Sequence, residues 1–163
     1  MPRSTIATWN RNPADEEAMG ATHAPIWRRM ADVSVPHDIS TSTVLDYGCN
    51  QGGFLRLLYD SHSFKHAVGI DIARESVARA ELLKGHRPIE YKVADTAASL
   101  GRTFDYAFSH EVIYLLPDLA AHARTGGSNP LAGRSGRSKP AVFTRSGRAQ
   151  IWNLAQPRRT MGE

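Results

Sequence analysis

The sequence predicts an open α/β fold, a parallel sheet with helices on both faces. Three observations predict it. Short apolar segments alternate with helix-patterned ones from residue 43 to about residue 124. A glycine-rich turn, VLDYGCNQGGF at residues 44–54, joins the first apolar segment to the first helical one. Three of the apolar segments close on an acid, at Asp46, Asp71 and Asp95.

The elements follow in order. Residues 1–40 are mixed, with a helix expected near Asp15–Ala31 and Trp9 and Trp27 as the largest apolar groups. TVLDYG (43–48) is a short strand stopped by glycine. GGFLRLLYDSH (52–62) places Phe54, Leu55, Leu57 and Leu58 at helical spacing. AVGIDI (67–72) is a second buried strand, and ARESVARAELLKG (73–85) is a helix stopped by Gly85. IEYKVAD (89–95) is a third strand and TAASLG (96–101) a helical turn. FDYAFSH (104–110) is a fourth strand, and a further helix is expected from Pro117. Strands that alternate with helices make a parallel sheet with right-handed crossovers. Ligands of such sheets sit beyond the carboxyl ends of the strands.

Composition narrows the class. The chain has 163 residues, enough for one domain with a core, and its 41% hydrophobic content is that of a soluble globular protein. No apolar run is long enough to cross a bilayer, and the first twenty residues lack a signal-type apolar stretch, so no membrane association is expected. One cysteine, Cys49, excludes an internal disulfide and a cysteine-based zinc site, and no metal site is expected. These features together point to the cytoplasm. Charge is divided unevenly. Residues 1–120 hold 12 Lys and Arg against 15 Asp and Glu, whereas residues 121–163 hold 8 against 1.

The turn separates nucleotide classes. A strand–glycine–helix unit offers backbone N–H groups to an anion. Gly48 permits the tight turn, Gly52 and Gly53 would admit a ligand close to the backbone, and Asn50 tolerates positive φ better than other non-glycine residues. No lysine follows the glycines, so the loop is not of the Walker type. Asp46 would repel a pyrophosphate. It suits a ligand with an ammonium group and no phosphate, such as S-adenosylmethionine. Asp71 would then accept the ribose hydroxyls and Asp95 the adenine amino group. Asp95 can equally cap the following turn. Cys49 reads as a small turn residue rather than a nucleophile. His110 and Glu111 follow the fourth strand at the mouth of the site. His110 is the one candidate general base, with pocket lining as the plainer reading. Trp9 and Trp27 are either a lid or simple packing.

Residues 43–118 resemble a class I S-adenosylmethionine-dependent methyltransferase with a Rossmann-like fold. VLDYGCNQGGF is similar to that family's acid-x-Gly-x-Gly-x-Gly turn, with Asn50 in place of the middle glycine. GIDIARESVARA, VADT and FDYAFSHEVIYLLPDL resemble the segments that follow in the same order, with Tyr114 and Leu115 where the family often has Glu-His. The resemblance implies that Asp46, Gly48, Cys49, Asn50, Gly52, Asp71, Ile72, Asp95, Thr96 and Ser109 bind the cofactor. It implies methyl transfer to a small-molecule acceptor. A non-catalytic nucleotide-binding fragment is the alternative.

Three segments are thus expected: an N-terminal helical or lid segment (1–40), a partial cofactor-binding domain (41–124) and a basic tail (125–163). The tail is Gly, Ser, Arg, Ala and Pro with little period, and it reads as disordered. The family's Pro-Gly-Gly turn before strand five is replaced by ARTGGSNPLAGRSGRS. PAVFT is the only later strand-like piece, weakened by Pro140. The reading expected is a frame change near residues 121–126, leaving strand four close to an open edge. A genuine basic tail for nucleic acid is the competing reading, less favoured because no nucleic-acid motif accompanies it. The coding DNA decides the matter. One of the two other frames past codon 120 should restore a Pro-Gly-Gly turn and further strands, and failure of both refutes the frame change.

Overall fold

The computed structural model describes residues 13–35, 38–110 and 139–143. Its elements are α1 (Pro13–Ser34), β1 (Ile39–Tyr47), α2 (Gly53–His62), β2 (Phe64–Asp71), α3 (Arg74–Leu83), β3 (Ile89–Val93), a 3-10 turn (Ala97–Leu100), β4 (Tyr106–His110) and β5 (Lys139–Phe143). The strands form one sheet in the order β3-β2-β1-β4-β5, and every described pair is parallel. The chain therefore reverses its direction of winding between β1 and β4. At such a switch point the tips of the two central strands diverge and leave a crevice.

Two strands depart from expectation. β1 begins at Ile39, four residues early, and its register shifts between Ile39 and Thr43. Ser40, Thr41 and Ser42 carry no apolar signal. They enter the strand because Ile39 pairs with Phe64, while Thr43 is tied through its N–H and hydroxyl to Asp105. The second departure is β5. It pairs with β4 from Tyr106–Lys139 to His110–Phe143, so β4 is not the open edge the sequence suggested. Pro140 does not forbid this, since a strand residue whose N–H points away from its neighbour can be proline. The helix expected from Pro117 and the rest of the tail lie outside the described residues.

Alternation along the strands divides the core in two. One cluster holds Val44, Ala67, Ile89, Tyr91 and Phe108 of the sheet against Met30 and Ala31 of α1, Phe54, Leu55 and Leu58 of α2, and Val77 and Ala80 of α3. The other holds Leu45, Val68, Ile70 and Phe104, with Tyr47, Ala94, Ala97 and Leu100 packed on it. All three described α-helices thus share one face. The 3-10 turn covers part of the other. Arg87 grips Asp60 with two parallel bonds, at 2.8 and 2.7 Å, fastening the loop before β3 to the end of α2. Glu81 of α3 accepts the Tyr91 N–H at 2.7 Å and so satisfies a donor on strand β3.

One row across the sheet positions the site. Tyr91, Gly69, Asp46 and Phe108 are register neighbours on β3, β2, β1 and β4. The Tyr91 ring lies flat over Gly69. A Cβ there would stand 2.6 Å from the ring and 2.9 Å from the Cys49 Cβ. The phenol then reaches the glycine turn and donates to the Gly52 carbonyl at 3.0 Å. Gly69→Ala should cost about 1–3 kcal/mol by overpacking. Gly101→Ala, at φ 60° with open space around it, should cost about 1–2 kcal/mol through its backbone alone. Urea melts of the two variants check this. Only Gly69→Ala should also shift the Tyr91 near-ultraviolet signal, and a silent Gly69→Ala would overturn the packing account.

Candidate cofactor site

The turn between β1 and α2 is folded back onto the tip of β2. Gly48 and Cys49 donate to the Ile70 carbonyl at 2.8 and 3.0 Å, and Gly52 donates to the Cys49 carbonyl at 2.8 Å. Gly48 and Gly52 have φ of 77° and 72°, and Asn50 has φ of 48° as its residue type allows. Asp71 locks the arrangement. One carboxylate oxygen accepts the Asn50 N–H and the other the Ala73 N–H, both at 2.9 Å. The Ile72 N–H also acts on this carboxylate, and the lone pair left over points to a ligand.

This geometry corrects one role expected from sequence. Gly52 and Gly53 do not hold open a ligand approach. A Cβ on Gly52 would fall 2.2 Å from the Tyr91 hydroxyl, and one on Gly53 would fall 2.8 Å from the Trp27 ring. The space above both is filled by aromatic side chains that the motif does not contain. The N–H groups of Gly48, Cys49, Asn50 and Gly52 are also engaged within the protein. The donors left to an anion are those of the first turn of α2, which no helix satisfies internally.

Asp46 is 2% exposed at the tip of β1. Among the described residues no hydrogen bond or cation acts to lower its pKa. Burial, with Asp71 beside it, pushes its pKa up to about 8. Burial raises Asp71 as well, against the three backbone N–H groups that hold it down. Cys49 is buried, and desolvation together with Asp46 and Asp71 raises its thiol well above the ordinary value. It is a packed, neutral turn residue and no nucleophile. Ser109, 4% exposed at the tip of β4, has a hydroxyl without a partner among the described residues. A buried acid and a buried hydroxyl at neighbouring strand tips fit a ligand that brings an ammonium group and polar hydrogens.

Asp95 and Thr96 follow β3. The Asp95 side chain is exposed, and its carbonyl accepts the Tyr47 hydroxyl at 2.6 Å. Thr96, not Asp95, caps the 3-10 turn by accepting the Ala98 N–H at 3.2 Å. The capping role that Asp95 could have taken thus belongs to its neighbour. Ile72 is half-buried directly after Asp71. His110 ends β4 and meets α1. The Trp27 indole N–H lies 3.5 Å from His110 Nδ1, and the His23 ring centre is 5.8 Å from Trp27 and 5.5 Å from His110. Trp27 also stands edge-on to Phe54 at 6.4 Å. Glu111 and Trp9 lie outside the described residues.

Sequence reasoning missed Tyr91, Tyr47 and His23. A glycine in mid-strand, Gly69, was the available signal for Tyr91, because such a glycine marks a close neighbour. Among the described residues no helix is long and apolar enough to cross a membrane, and no three His, Cys, Asp or Glu side chains gather to hold a metal.

The parallel sheet with its helices has the Rossmann-like methyltransferase fold. A sequence profile described as "Methyltransferase domain" matches residues 16–128, and the chain belongs to that family. No curated protein matches the chain. Among solved structures it is similar to an S-adenosylmethionine-dependent methyltransferase from Mesorhizobium loti, with 23% identity, 72% of this chain and 51% of that one covered, and a TM-score of 0.56. It is similar to the N-methyltransferase NodS of Bradyrhizobium japonicum WM9, solved with S-adenosyl-L-homocysteine, with 20% identity, coverage of 85% and 70%, and a TM-score of 0.57. It is also similar to the sugar N-methyltransferase KedS8 of Streptoalloteichus, with 25% identity, coverage of 76% and 47%, and a TM-score of 0.54. The chain spans about half the length of the first structures it matches.

Asp46 gives a stability test with a definite sign. Folded, it keeps its proton up to about pH 8, whereas the unfolded chain releases it near 3.8. Between those values the native state binds more protons, so stability falls as pH rises, by at most about 1.4 kcal/mol per unit. The raised Asp71 acts in the same direction. Relative to wild type, Asp46→Asn should therefore gain stability steadily from pH 5 to pH 8 in thermal melts. Parallel curves would show that Asp46 ionises normally.

Proposed function

We propose that this chain binds S-adenosylmethionine at the tips of β1, β2 and β3 and serves methyl transfer to a small-molecule acceptor. The observation that carries the reading is Asp46, a buried carboxylate beside a second acid whose raised pKa no group among the described residues offsets. Asp46 would hold the ligand's ammonium group, directly or through water. The remaining lone pair of Asp71 would take a ribose hydroxyl, and Ile72 would wall the base. Asp95 would accept the adenine amino group from its exposed position after β3. Gly48, Cys49, Asn50 and Gly52 shape the turn, Thr96 fixes the loop behind Asp95, and Ser109 offers its buried hydroxyl from β4. When bound, the cofactor supplies a methyl group already activated by a positively charged sulfur.

The acceptor would enter past β4 and α1, where His110, Trp27 and His23 meet. With the indole as donor, a neutral His110 carries its proton on Nε2. His110 would line the acceptor side of the pocket, and it stays the one candidate general base. Trp27 covers the start of α2 and excludes water from that side. Alignment and desolvation are what such a transfer chiefly needs. Neighbours of this fold include the N-methyltransferase NodS and the sugar N-methyltransferase KedS8. Three segments fit this reading: a helix that closes the acceptor side, the cofactor-binding sheet, and a basic tail after residue 124 that lends the sheet its edge strand β5. Free, buried Cys49 is consistent with a cytoplasmic setting.

Calorimetric titration with S-adenosylmethionine and S-adenosylhomocysteine tests the proposal. Pairing with an ammonium group ionises Asp46, so binding should release close to one proton at pH 6.5, read from buffers of different ionisation enthalpy. Affinity should rise by up to about tenfold per pH unit between pH 5 and 7.5. Asp46→Asn should abolish both effects. Folded protein that binds neither compound would refute the proposal.

A further inference from the structure

The reading of the cofactor site leaves Tyr47 without a role, yet its hydroxyl is placed with care. Tyr47 ends β1 and projects to the face opposite Asp46, where it packs against the cluster of Leu45, Val68, Ile70 and Phe104. Phenylalanine would fill that volume equally well. The added hydroxyl donates to the Asp95 carbonyl at 2.6 Å, spanning 48 residues of sequence. Three further bonds converge on the same short segment. Ala94 donates its N–H to the Asp71 carbonyl at 2.9 Å. Thr96 accepts the Ala98 N–H through its side chain at 3.2 Å, and its carbonyl accepts the Ser99 hydroxyl at 2.7 Å. The peptide that follows Asp95 is thereby held directly, and its neighbours Ala94 and Thr96 are each tied by bonds of their own. With its carbonyl held by Tyr47, the Asp95 side chain projects to solvent.

A partly buried phenol beside two acids is a durable donor. Burial first, then Asp95 and Asp71, raise the Tyr47 pKa above its ordinary value, so the hydroxyl keeps its proton at physiological pH. The bond therefore does not depend on pH in the range where the protein works.

We infer that Tyr47 is a positioning residue for base recognition, whose bond to the Asp95 carbonyl aims the Asp95 carboxylate at the exocyclic amine of adenine. The inference rests on the proposed cofactor reading. A site built to pair a ligand N–H rejects an analogue that lacks it, and a site whose acceptor is loosely held does not. Tyr47 thus sets the preference for adenine over hypoxanthine, not the bulk of the affinity.

The test uses full-length protein and two probes, S-adenosylhomocysteine and S-inosylhomocysteine, whose bases differ in the amine at position six. Wild type should prefer the adenine compound at least tenfold. Tyr47→Phe should bind the inosine compound within twofold of wild type but reduce the preference at least threefold, and Asp95→Ala should do the same. A preference unchanged in Tyr47→Phe overturns the inference. So does an equal loss for both probes, since that marks a purely structural role. Wild type that binds both probes equally overturns it too, through Asp95. Wild type that binds neither refutes the cofactor reading itself, a separate result. A measurement on wild type guards against a variant that misfolds. The Tyr47 hydroxyl proton should exchange slowly enough to appear in NMR spectra of ring-labelled tyrosine, and its absence also counts against the bond.

Discussion

A carboxylic acid buried at the tip of the central strand is the constraint on which the site depends. Asp46 lies between Gly69 and Phe108 on the helix-covered face, near Cys49 and Asp71. Ionised and unpaired, it would be costly there, and the protein keeps it protonated instead. The molecule thus carries a group that becomes favourable only when a cation arrives. Asp71, held by backbone donors on both oxygens, contributes a second negative centre without moving.

The surrounding architecture keeps that arrangement rigid. Tyr91 crosses Gly69 to reach the turn, so β3, β2 and the turn are packed as one unit. Tyr47 does the same on the opposite face, joining the tip of β1 to the segment after β3. Both are tyrosines whose rings pack and whose hydroxyls bond a main-chain carbonyl, a combination that fixes loops without offering reactive groups. On the β4 side α1 supplies the closure, because Trp27 rests on Gly53 and reaches His110.

Much of the fold was legible because the relevant signals are local. The alternation of apolar runs and helical spacing located β2, α2, α3, β3 and β4 to within a few residues. The start of β1 was not legible, since Ser40–Thr41–Ser42 is polar and joins the strand only through pairing and Asp105. β5 was discounted for Pro140, a residue whose tolerance depends on which side of the strand faces a neighbour. The glycines were read as space for a ligand. They are space for Tyr91 and Trp27, which come from residues 39 positions later and 26 positions earlier and leave no mark near the turn.

By itself the sequence determined the order of elements from β1 to β4, the parallel sheet, and the acids at the tips of β1 and β2. It did so because hydrophobic period, turn residues and strand ends are properties of neighbouring residues. Only the tertiary structure decided that Asp46 is neutral when alone, that Trp27 and His23 stand beside His110, and that Tyr47 holds the chain at Asp95. Burial and contact between distant segments set proton affinity and side-chain direction, and neither is written in any single stretch of the chain.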